Sequence, residues 1–166
     1  SLVESQLEAL FPEIPTSSKK LFTLTLNVDH IEPNITTAKA NNYGIKERIG
    51  HGYSEFQGSI PGRIKNVELA ASKMHGVLIA PGEIISYNKI IGDISAATGW
   101  AAAYIIKDGR TVLGDGGGVC QGSTTLFRAA MDAGLPILER SAHAYRVHYY
   151  EEGGFKPGID ATVFAP

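Results

Sequence analysis

The chain has 166 residues, 43% hydrophobic and 19% charged, with a formal net charge of −2. That length permits one ordinary domain plus an appendage, and the apolar fraction suffices for a real core. No basic patch is present, the largest basic group being the pair Lys19-Lys20, so a nucleic-acid partner is not expected. No apolar run reaches ~18 residues, so no membrane-spanning helix is expected within this stretch, and no signal peptide opens it.

In chain order, Val3 to Leu10 reads as a short helix stopped by Pro12 and Pro15. Phe22, Leu24, Leu26 and Val28 alternate with polar residues and predict a half-buried strand. Pro33-Asn34-Ile35-Thr36-Thr37 breaks that pattern and begins a short helix through Ala38 and Ala40. A composition break here sets a domain boundary: residues 1–40 as the tail of a preceding domain or linker, and 41–166 as the main domain. Glu55 to Ser59 is expected to be extended. Val67, Ala70, Ala71 and Met74 form a helical stripe, with Asn66 as its N-cap and Gly76 as its stop. Strands are predicted over Val77-Leu78-Ile79 and Ile84-Ile85-Ser86-Tyr87 around the turn pair Pro81-Gly82. Asp108-Gly109 between Tyr104–Lys107 and Arg110–Leu113 is the strongest hairpin signal in the chain. Further strands are predicted over Tyr145–Tyr150 and Ile159–Phe164. The simplest architecture is α+β, a mostly antiparallel sheet packed with a few helices.

Chemistry concentrates in Gly116-Gly117-Gly118-Val119-Cys120-Gln121-Gly122-Ser123-Thr124-Thr125. Leu126, Phe127, Ala129, Ala130 and Ala133 continue at helical spacing from Ser123, and Gly134 ends the run. The hairpin's second strand would aim the glycine run, and the run would deliver the only cysteine to a helix N-terminus. There unpaired N–H groups and the dipole favour a nucleophilic thiolate. A lone cysteine is more often a packing residue, but packing requires neither the glycines nor the polar residues that follow. Such a nucleophile needs a base. His143 precedes one predicted strand, His148 lies within it, and Asp160 on the next strand stands in the place of an orienting acid. His143 is the first candidate and His148 its rival. No Cys or His cluster has metal-ligand spacing, so neither metal nor other cofactor is expected.

The glycine–cysteine run resembles the signature of the VanW family of bacterial envelope proteins. Further blocks agree in order: Arg63-Ile64-Lys65-Asn66-Val67 with Ala70-Ala71, Pro81-Gly82-Glu83-Ile84-Ile85-Ser86-Tyr87-Asn88, Glu139-Arg140 with His143, and Asp160-Ala161-Thr162-Val163. The similarity runs from about Gly44 to the end of the chain, with Ile85-Ser86-Tyr87-Asn88 where many members carry Phe-Ser-Phe-Asn. Longer relatives continue beyond the last block, so the resemblance implies a C-terminal trimming at Pro166. It also implies export to the cell envelope, a full-length protein with a possible membrane anchor, and peptidoglycan stem peptides as partners. Some members are similar to L,D-transpeptidases in activity. Carried over, Cys120 is the nucleophile, His143 the base and Asp160 a motif acid; Arg140 binds a stem carboxylate or forms a structural ion pair. Gly117, Gly118, Gln121 and Ser123 are the remaining substrate-side candidates; backbone N–H groups at Cys120 and its glycine neighbours would hold the oxyanion, and Gln121 either donates to it as well or caps the helix. A hydrolytic cysteine peptidase or amidase and a non-catalytic wall-binding module are the competing readings.

Overall fold

The computed structural model describes residues 29, 31, 33, 36–40, 43–107 and 109–163. The chain divides into two units, Ser1–Lys46 and Glu47–Pro166. In the first, a single helical turn α1 (Thr37–Ala40) forms where the sequence predicts it, with the Lys39 amide donating to Thr36 Oγ1 at 3.3 Å. The expected helix at Val3–Leu10 and strand at Phe22–Val28 lie outside the described residues.

The second unit is α+β. Its long helices are α2 (Pro61–Met74) and α4 (Val119–Asp132), with a short α3 (Tyr87–Ile91) between them. The predicted hairpin forms from β1 (Ala102–Lys107) and β2 (Arg110–Asp115), antiparallel with Lys107 opposite Arg110 and Ala102 opposite Asp115. Ala70 of α2, Ile91 of α3, Trp100 and Val119 of α4 make the core cluster, and Leu69, Tyr87, Ile94, Cys120 and Val163 pack against it. The nucleophile candidate therefore sits at the edge of the core.

Helix α2 starts earlier than predicted. Pro61 occupies its first turn, where a missing N–H costs nothing. Asn66 thus falls mid-helix, not at the cap. It is fully buried and its amide is satisfied: Nδ2 donates to the carbonyls of Ala101 (2.8 Å) and Gly117 (2.9 Å), and Oδ1 accepts from the Ala101 amide (2.8 Å). One side chain ties α2 to the start of β1 and to the glycine turn before Cys120.

The sheet is smaller than expected. Among the described residues it has two strands. The segments around Pro81-Gly82 form a turn, closed by the Glu83 amide on the Ala80 carbonyl at 3.0 Å, without flanking strands. Ser86 caps α3 instead, its Oγ accepting from the Lys89 amide at 3.4 Å. Glu55 and Phe56 are not in a strand, and a turn follows at Gln57-Gly58. His148–Tyr150 is a 3₁₀ turn, and residues 159–163 run without a strand partner. The last case has a local cause. Side chains of α4 bind the carbonyls a neighbouring strand would use: Ser123 Oγ donates to Ala161 O at 2.6 Å and Arg128 Nε to Ile159 O at 3.0 Å.

Candidate active site

Gly118 is the N-cap of α4 at φ +107°, a conformation costly for any residue with a Cβ. Gly117 is required for a different reason. A Cβ there would lie 2.5 Å from the Tyr104 carbonyl oxygen and 2.7 Å from Ala103 Cβ. The run thus turns tightly against β1 and places Cys120 as the second residue of α4, in the first turn, where amides lack intrahelical acceptors.

Around the sulfur the chain brings together residues distant in sequence. His143 and Cys120 lie near enough for each to shift the other's pKa, and His143 Nδ1 meets Asp160 Oδ2 at 2.5 Å. The His143 backbone amide also donates to Asp160 Oδ2, at 3.0 Å. With Nδ1 engaged by the carboxylate, Nε2 is left for the thiol. Only 6% of the His143 side chain is exposed, and its ring packs on Tyr150 with centroids 5.0 Å apart. The sulfur has two further neighbours: the Val163 amide donates to Sγ at 3.4 Å and Thr162 Oγ1 lies 3.6 Å away.

The electrostatics follow from these contacts. Burial pushes the Cys120 thiol up, but the His143 side chain, the Val163 N–H and the Thr162 hydroxyl together bring it below the ordinary thiol value. Burial pushes His143 down, yet its bonds to Cys120 and Asp160 win and its pKa rises. For Asp160, burial raises the carboxyl and the His143 N–H, the His143 ring and Arg140 more than offset it. All three shifts favour thiolate, imidazolium and carboxylate in a row.

His148 takes no part in this arrangement. Its side chain is 88% exposed, with Nε2 3.9 Å from Glu152 Oε1. Arg140 lies beside Asp160, donating from Nε to its carbonyl at 2.7 Å, from Nη2 to the Gly158 carbonyl, and approaching Asp160 Oδ1 at 3.4 Å. Its guanidinium thus holds the backbone and carboxylate of the acid. Gln121 is 2% exposed and both ends of its amide are used within the protein, Oε1 accepting from Arg63 Nη2 at 2.6 Å and Nε2 donating to the Glu55 carbonyl at 2.9 Å. Ser123 Oγ is likewise engaged, by the Ala161 and Cys120 carbonyls. These two side chains, expected on the substrate side, serve the frame instead, because burial beside carbonyls leaves their polar atoms committed. A pocket of ≈ 250 Å³ is lined by His143, Asp160, Tyr145, Arg146 and Lys156 among others, with Cys120 outside its lining.

Two framing residues escaped the sequence reading. Arg128 is 3% exposed; it donates to the carbonyls of Ile159 (3.0 Å), Tyr53 (2.6 Å) and Tyr150, and stacks on Phe155 at 3.6 Å. Thr124, fully buried, accepts from the Ala161 amide at 3.1 Å. The available signal was their spacing: Cys120, Thr124 and Arg128 recur every four residues, so a charged side chain stood on a face otherwise turned inward. Asn66 gave the same signal beside Val67 and Ala70.

Among the described residues no helix is long and apolar enough to cross a membrane, and no group of three or more His, Cys, Asp or Glu is placed to hold a metal ion. No solved structure matches the chain significantly. A protein of Bacillus subtilis named "Uncharacterized protein YoaR" is 36% identical over 117 residues, covering 70% of this chain and 37% of its own length. "Vancomycin B-type resistance protein VanW" of Enterococcus faecalis is 30% identical over 101 residues, covering 61% of this chain and 37% of its own. The chain thus spans little more than a third of the length of these relatives. The family model described as "VanW like protein" matches residues 62–166, a stretch holding Cys120, His143 and Asp160, and the chain belongs to the VanW family.

Proposed function

We propose that this domain is a cysteine acyltransferase that cross-links peptidoglycan stem peptides by L,D-transpeptidation at the cell envelope. The observation that carries the reading is the grouping of Cys120 with His143 and Asp160: the thiol stands at a helix start with its pKa brought below the ordinary value by His143, and His143 Nδ1 is held by Asp160 Oδ2 at 2.5 Å. Kinship to a protein named for vancomycin resistance supports a role in wall chemistry.

The Cys120 thiolate attacks the carbonyl of a stem residue, and the negative charge passes to the carbonyl oxygen. The Val119 and Gln121 amides at the start of α4 already donate to the Gly116 and Gly118 carbonyls, which leaves the Cys120 amide as the donor of that turn for the oxyanion. The imidazolium of His143 then gives its proton to the departing nitrogen. The C–N bond breaks, the terminal D-amino acid leaves, and a thioester remains. An amine of a second stem attacks the thioester, now-neutral His143 takes its proton, and the electron pair of the C–S bond returns to sulfur. Asp160 keeps the ring in the tautomer that presents Nε2 throughout. In this scheme Arg140 positions Asp160 through its backbone and carboxylate, and Gln121 and Ser123 fix the helix start.

Intact-mass measurement after incubation with a tetrapeptide stem tests the proposal. The expected result is an acyl adduct on Cys120, resolved into a cross-linked product when an acceptor amine is added. Product gained from water alone, with acceptor present, would mean a peptidase or amidase. No adduct, and alkylation no faster than free cysteine, would mean a binding module.

A further inference from the structure

The last motif block, Asp160-Ala161-Thr162-Val163, supplies the orienting acid and then passes directly over the nucleophile. Thr162 Oγ1 lies 3.6 Å from Cys120 Sγ, and the next amide, that of Val163, donates to the same sulfur at 3.4 Å. We propose that Thr162 is a further catalytic residue, whose hydroxyl donates to the Cys120 thiolate and holds the sulfur together with the Val163 N–H. This rests on the reading of Cys120 as nucleophile.

The segment is fixed well enough to do this. The Thr162 amide donates to the Ser141 carbonyl at 2.9 Å, the Ala161 amide to Thr124 Oγ1 at 3.1 Å, and the Ala161 carbonyl accepts from Ser123 at 2.6 Å. Among the described residues the hydroxyl's hydrogen-bond partner is the sulfur. A threonine kept for local structure turns its hydroxyl to a nearby carbonyl, as Thr125 does with the Gln121 carbonyl in this chain.

The energetic consequence is specific to charge on sulfur. A neutral thiol gains little from a hydroxyl at this range, whereas a thiolate makes a charge-assisted bond. In the thioester the sulfur carries no such charge, and the two donors lose most of their hold. They therefore favour the thiolate twice: before attack, and again when the acceptor amine expels it. The same two donors are among the causes that bring the thiol below its ordinary value.

Thr162→Val keeps the shape and removes the donor; Thr162→Ser keeps the donor. Ultraviolet titration of the thiolate in the full chain reads the effect. The midpoint should rise by about one pH unit in Thr162→Val, a roughly tenfold lower thiolate fraction well below it, and stay near wild type in Thr162→Ser. At pH above both midpoints, Thr162→Val should alkylate at least as fast as wild type, since a less stabilised thiolate is the better nucleophile. Should Thr162→Val fail to fold, Thr162→Ala against Thr162→Ser makes the same comparison. A low wild-type midpoint left unmoved by loss of the hydroxyl overturns this proposal alone. A wild-type midpoint at the ordinary thiol value overturns the nucleophile reading beneath it.

Discussion

Asp160 is the residue on which most of the site's charge rests, touching His143 through both backbone and ring and Arg140 through its carboxylate. Its folded pKa is lowered, so its stabilising contribution is complete above the unfolded value near ~4 and is lost as pH falls through the folded one. His143 has the opposite sign. Its pKa is raised, so its contribution is complete below the unfolded value of about 6.5 and disappears as pH rises through the folded value. The lowered Cys120 contributes fully above roughly 8.5 and loses its share as pH falls through its folded value. Both shifts run toward a thiolate–imidazolium pair. Asp160→Asn should lower the His143 pKa, and melting temperature against pH should show a shallower acid limb than wild type. An unchanged acid limb would mean that the carboxylate is not what titrates. For Arg140, which holds two carbonyls besides the carboxylate, one of them exposed and one part-buried, Arg140→Ala should lower stability by about 0.5–1.5 kcal/mol by thermal unfolding, the net worth of such bonds. Arg140→Lys should recover part of that and not all, because an ammonium cannot reproduce the fork.

At the level of elements, α4 is the organising piece: its first turn carries the thiol, and its inward face holds the segment that carries Asp160. Arg128 does the holding at the far end, through carbonyls of Tyr53, Tyr150 and Ile159. Arg128→Met should cost about 2–4 kcal/mol in chemical denaturation, because one buried and two part-buried carbonyls lose a charged donor. A loss under 1 kcal/mol, by the same principle, would mean that solvent replaces it. The glycine turn is held on its other side by β1. Gly117→Ala should displace the turn from Ala103 and Tyr104, costing roughly 1–3 kcal/mol and slowing Cys120 alkylation along with it.

These elements also show which parts of the fold were legible in the sequence. The β1–β2 hairpin and the helix after the glycines were readable because turn chemistry and periodicity are local. The strands expected at Val77–Ile79, Ile84–Tyr87 and Tyr145–Tyr150 carry β-rich composition, but a strand needs a partner, and composition does not name one. In Ile159–Val163 the Ala161 and Ile159 carbonyls are taken by Ser123 and Arg128 of α4, a pairing set by tertiary packing alone. The site was legible in its ionisable members and not in its frame. Cys120, His143 and Asp160 announced themselves by residue type and order, whereas the commitment of Gln121 to Arg63 and Glu55 becomes visible only once those residues are placed together.

For the whole molecule, the residues of the site all belong to the unit 47–166, and the family match begins at residue 62. Removing residues 1–39 should therefore leave the alkylation rate of Cys120 unchanged. A deletion that abolishes folding would make that segment part of the catalytic domain. The central claim is that Cys120 is a thiolate held by His143, and the pH profile of iodoacetamide labelling tests it most directly. Wild type should label with a midpoint below the ordinary thiol value. His143→Ala should move the midpoint upward, and His148→Ala should leave it where it is. A wild-type midpoint at the ordinary thiol value, indifferent to both histidines, would contradict the account.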